Sequence, residues 1–66
     1  MREEWTGELI GKMHNNNVTF EELAKELNMS KGYISMILNG SRTPSGAREK
    51  LEDAFSNILQ KRAISG

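Results

Sequence analysis

The stretch Thr19-Phe20-Glu21-Glu22-Leu23-Ala24-Lys25-Glu26-Leu27-Asn28-Met29-Ser30-Lys31-Gly32-Tyr33-Ile34-Ser35-Met36-Ile37-Leu38-Asn39-Gly40 decides how this chain folds. Thr19 followed three residues later by Glu22 has the spacing of a capping box, in which each side chain satisfies the other's backbone N–H. Val18 before the cap and Leu23 four positions into the helix supply the accompanying apolar staple. Phe20, Leu23, Ala24 and Leu27 recur at i, i+3, i+4 and i+7, the period of one buried helical face. A helix of about two turns is unstable in isolation, so it must pack on neighbours. Asn28 accepts left-handed backbone geometry and ends it. Ser30 caps a following helix whose inward face is Ile34, Ile37 and Leu38, and Asn39-Gly40 suits its C-terminal end. The small Ala24 lets the two helices cross closely.

Working outward, a first helix is expected from about Glu4 to His14, with Trp5, Leu9 and Met13 on one stripe and His14-Asn15-Asn16-Asn17 as a polar stop. Thr43-Pro44 should open the last helical region, because proline is tolerated in a first turn. Its stripe is Ala47, Leu51, Ala54, Phe55, Ile58 and Leu59, and Ser56-Asn57 leaves open one long helix or two short ones. No alternating strand pattern is sustained. The expectation is an all-α, compact four- or five-helix fold, a single domain over residues 1–66 with its core at 19–40.

Composition narrows the function. The 66 residues include no cysteine, so no disulfide or thiolate metal site supports the fold. No apolar run nears the roughly 20 residues of a membrane span, and Met1-Arg2-Glu3-Glu4-Trp5 lacks the apolar stretch of a signal peptide. A cytoplasmic location is therefore expected. The net charge is zero, but it is unevenly spread. Residues 1–28 hold three cations and six glutamates, whereas 29–50 hold Lys31, Arg42, Arg48 and Lys50 against Glu49 alone. No carboxylate occurs from Leu27 to Arg48, which suits one positive face over a negative back. His14, the sole histidine, stands in a polar turn without a partner, and no nucleophile–base pair or phosphate loop is present. No catalytic residue, metal, cofactor, small-molecule ligand or membrane contact is expected.

The stretch Phe20–Gly40, followed by Ser41-Arg42-Thr43-Pro44-Ser45, resembles the lambda-repressor and Cro-like helix-turn-helix family of phage and bacterial regulators. Leu23-Ala24, Ser30-x-x-Tyr33-Ile34-Ser35, Asn39-Gly40 and Arg42-x-Pro44-Ser45 carry the resemblance jointly, and it covers essentially the whole chain. Two departures stand out. Asn28 replaces a frequent turn glycine, and Met13 and Leu38 stand where several relatives pair a buried arginine with a glutamate. An apolar pair there avoids the desolvation of two charges.

In a helix-turn-helix the second helix of the pair enters the major groove with its N-terminal part. At 100° per residue, the side of that helix opposite Ile34, Ile37 and Leu38 carries Gly32, Met36 and Asn39, flanked by Tyr33 and Ser35. Lys31 projects from the first turn. The expected base-reading residues are Lys31, Gly32, Ser35 and Met36, since lysine donates to guanine and an apolar tip touches a thymine methyl. Gly32 admits a functional reading, close approach of backbone to DNA or room for a neighbouring side chain, and a bland one, a merely tolerated weak helix former. Thr19, Ser30, Tyr33, Asn39, Ser41 and Arg42 are expected at phosphates, which position the protein without reading sequence. Packing of Tyr33 on the first helix is the competing assignment for that residue, and a solvated charge for Lys31 and Arg42.

These residues imply a sequence-specific double-stranded DNA-binding transcriptional regulator, a repressor of phage or mobile-element type. A protein-interaction module, antitoxin-like or anti-regulator, is the competing class, favoured by the acidic first half. One helix reads few base pairs, so a weak homodimer on a palindromic site is expected. Ile58 and Leu59 either form that dimer surface or close the bottom of the core.

Overall fold

Thr19 adopts extended backbone at φ −93°, ψ 161°, and its hydroxyl accepts the Glu22 N–H at 3.1 Å. The Glu22 carboxylate in turn accepts the Thr19 N–H at 3.1 Å, completing the reciprocal box. In this computed structural model, which describes residues 4–65, the helices are α1 (Glu4–Asn15), α2 (Phe20–Leu27), α3 (Lys31–Leu38) and α4 (Ala47–Ser65). Among the described residues there is no strand, and the fold is the all-α one expected, with four helices.

The three short connections share one chemistry. α1 ends on Asn17 at φ 56° with the Val18 N–H reaching back to the Met13 carbonyl at 2.8 Å. α2 ends on Asn28 at φ 58° with Met29 N–H on Ala24 at 2.9 Å, and α3 on Gly40 at φ 89° with Ser41 N–H on Met36 at 2.9 Å. Each is a left-handed residue followed by a bond to the carbonyl five residues back, which satisfies an orphaned helix-end carbonyl. At the first two ends the residue after the left-handed position is apolar and folds onto the core, Val18 buried and Met29 partly so. Helix ends and chain reversals thus come from the same residues.

α2 packs on α3 and α4, and α1 also touches both. The core takes Trp5, Leu9 and Met13 from α1, Leu23 and Ala24 from α2, Ile34, Ile37 and Leu38 from α3, and Leu51, Ala54, Phe55 and Ile58 from α4. Phe20 and Leu27, expected on the buried face of α2, are only partly covered at its margin. Met13 and Leu38 are both buried, so the apolar pair expected there lies in the core.

One sequence expectation needs correction, and two left open are decided. α4 starts at Ala47, not at Thr43-Pro44; Gly46 at φ 76° precedes it, and the Gly46 carbonyl takes the first helical bond from Lys50 at 3.1 Å. Pro44 lies in the connection, where its carbonyl accepts the Ala47 N–H. Ser56-Asn57 does not divide the helix, because both are exposed while Ala54, Phe55 and Ile58 on either side are buried. Ile58, expected as a dimer surface or core closure, is 7% exposed and belongs to the core, with Leu59 partly buried against it.

The capping box carries an expected pH dependence. The Thr19 backbone N–H, and after it the Arg62 side chain, hold the Glu22 carboxyl below the usual glutamate range, against a smaller opposing effect of burial. A lowered folded-state value stabilises the protein above the unfolded value of about 4.3 and is lost as pH falls through the folded one. Thermal unfolding of wild type and Glu22→Gln should therefore differ above about pH 5 and converge at lower pH. A gap between them that widens on acidification would contradict this.

Candidate nucleic-acid interface

α3 presents its outer face without competition from acids. Lys31 and Gly32 in its first turn are exposed, Met36 is 38% exposed, and Ser35 is half-buried. Ser30 precedes them, its hydroxyl accepting the Tyr33 N–H at 3.1 Å. Tyr33 is partly buried against the core, so its packing role is real, yet the side chain is not fully enclosed. Asn39, Ser41 and Arg42 follow the helix, all exposed. The Asn39 carboxamide oxygen accepts the Ser41 N–H at 2.9 Å, which stiffens the exit from α3. Eight residues make a helix about 12 Å long. Base-reading candidates therefore occupy one strip, with Ser30 before it, Asn39, Ser41 and Arg42 after it, Tyr33 within the helix and Thr19 apart at the start of α2.

Charge follows the same division. Among the described residues, no carboxylate lies within ion-pair distance of Lys31 or Arg42, whereas Arg48 pairs with Glu52 at 3.3 Å. Arg42 and Arg48 both line a cavity of about 260 Å³ beneath the α3–α4 connection, with Trp5, Ile37 and Pro44 at its walls. The first turn of α3 contains no acid. The positive end of its dipole is thus left unneutralised by its own side chains.

Gly32 resolves in part. A Cβ built there meets nothing within 4 Å, so no neighbouring side chain of this chain needs the space. Thr19 is placed less favourably for a phosphate than Ser30. Both hydroxyls are used in caps, but that of Thr19 also has a Glu22 carboxylate oxygen 3.5 Å away.

Sequence reading missed the residues that anchor α2 from the far end of the chain. Arg62 donates to the carbonyls of Asn16 and Asn17 at 2.6 and 2.9 Å and to the Glu22 carboxylate at 2.7 Å. Lys61 pairs with Glu26 at 2.6 Å. No local signal marks either cation, because their partners lie 35 to 46 residues away. The complementary spacing, Glu22/Glu26 at i, i+4 against the adjacent cations Lys61 and Arg62 on a helix with one apolar face, was the available clue.

Among the described residues no helix is long and apolar enough to cross a membrane. No curated protein and no solved structure matches the chain. Residues 15–48, just over half of it, match the helix-turn-helix family HTH_3, a family of DNA-binding regulators. The match encloses α2, the Asn28-Met29-Ser30 turn, α3 and the Arg42 connection. Together with the four-helix core, this makes the chain a member of the lambda-repressor-like helix-turn-helix family.

Proposed function

We propose that the protein is a sequence-specific regulator that reads double-stranded DNA with α3 and represses transcription from a phage, plasmid or other mobile element. The observation that carries this reading is the strip of exposed Lys31, Gly32 and Met36 with half-buried Ser35, followed by the unpaired Arg42 in a stretch free of acids. An α-helix, about 10–12 Å across with its side chains, fits the roughly 12 Å width of the major groove. Lys31 and Met36 then meet base edges, while Ser30, Tyr33, Asn39, Ser41 and Arg42 meet phosphates. Few cations take part, so binding weakens with salt along a modest slope. A single such module makes a small interface. Two copies on half-sites one helical turn apart are the economical remedy, with Leu59 rather than the buried Ile58 available for contact. The site of action is the cytoplasm.

Selection of bound duplexes from a random pool, followed by gel-shift titration, tests this. The expected result is a recovered motif bound well above random DNA, with two copies on a palindromic version. Equal binding of all duplexes, or none, would favour the interaction module, which the acidic residues 1–28 and the zero net charge support.

A further inference from the structure

We infer that Arg62 is a positioning residue for DNA binding, acting by screening the Glu22 carboxylate at the start of α2. This rests on the DNA-binding reading above. In a helix-turn-helix the first helix of the pair crosses the phosphate backbone, and α2 is that helix. The amides of its first turn attract phosphate, but Glu21 and Glu22 occupy the same turn. The Glu22 carboxylate lies within 3.5 Å of the Thr19 hydroxyl, well inside the 8–10 Å over which charges are felt at physiological salt. Unscreened, it would repel a phosphate arriving at this helix end. Arg62 meets it at 2.7 Å and is itself anchored by the Asn16 and Asn17 carbonyls at 2.6 and 2.9 Å.

This anchoring matters to the argument. A guanidinium held by two carbonyls stays in place when its carboxylate partner is removed, because its planar fork still has acceptors. The carbonyls belong to the α1–α2 turn, so the same residue ties the last turns of α4 to the entry of the DNA-binding pair. A lysine would supply charge but not the three-point geometry. The region near α2 is thus neutral only while Arg62 is seated.

The test is a charge cycle on the intact chain, with duplex affinity measured at low and high salt at a temperature where each variant is folded by circular dichroism. Glutamine is compatible with a capping box at the Glu22 position, so Glu22→Gln removes charge and keeps the cap. Arg62→Gln should weaken duplex binding about fivefold, an effect the size of one exposed charge interaction. Glu22→Gln alone should tighten it by a similar factor, since Arg62 then faces the DNA uncompensated. The double variant should return close to wild type, and all differences should shrink at high salt. A purely structural latch gives another pattern: Glu22→Gln no tighter than wild type, and the double no better than Arg62→Gln. That pattern overturns the inference while leaving DNA binding intact. A wild type that binds no duplex overturns the DNA-binding reading and this inference together, and the wild-type titration reports it first.

Discussion

Leu38→Ala is expected to lower stability by about 2–5 kcal/mol, the range for removing a fully buried leucine from a packed core. Leu38 is 0% exposed, at the end of α3 where the helix turns over the core. The loss combines the transfer energy of the deleted atoms with a cavity that the surrounding core fills only in part. A chain of 66 residues without disulfides has little to spare, since cores of this size rarely supply more than about 3–5 kcal/mol. At about 4–8 °C per kcal/mol for a small domain, the unfolding midpoint should fall by at least about 10 °C, and much of the variant should be unfolded at 37 °C. Ile64→Ser is the control. Ile64 is 87% exposed, so its replacement should change stability by no more than about 0.5 kcal/mol. Urea and thermal unfolding followed by circular dichroism check both. Equal effects from the two substitutions would mean that α3 does not pack as described.

The second large effect separates reading from anchoring. Lys31→Ala should change base preference at one defined position, by about 1–3 kcal/mol for a good base contact, and Met36→Ala should do so at another. Both side chains are exposed and touch little of the core, so unfolding should scarcely move. Arg42→Ala should instead weaken every site about equally and reduce the salt slope by about one. Arg42 lies beyond the end of α3, in the connection to α4, where a phosphate is the natural partner of an unpaired guanidinium. Repeated duplex selection with each variant distinguishes the cases. If Arg42→Ala altered the selected motif while Lys31→Ala left it unchanged, the docking of α3 would have to be redrawn.

What could be read from the sequence alone shares a physical property: it is local. The Thr19–Glu22 box, the left-handed Asn28, the Ser30 cap and the Ile34, Ile37 and Leu38 face each depend on residues within about one turn of each other. Such interactions form in the same way wherever the chain carries them. The strip on α3 followed directly, because helical geometry places Gly32, Met36 and Asn39 opposite a face that must be buried, with Lys31 projecting from the first turn.

Tertiary packing decided what lay between or beyond those signals. Pro44 fits a first helical turn by its own chemistry, yet Gly46 turns the backbone left-handed and moves the start to Ala47. Ser56-Asn57 are weak helix formers, but Ala54, Phe55 and Ile58 are held in the core on either side, and the burial outweighs the local cost. Ile58 looked surplus to a small core until α2 was set against it. The Arg62 clamp spans up to 46 residues of sequence, and only the closed fold brings its guanidinium to the α1–α2 turn. A long cationic side chain has no preferred partner in an unfolded chain. It acquires one when the packing of α4 on α2 has already fixed where both ends lie.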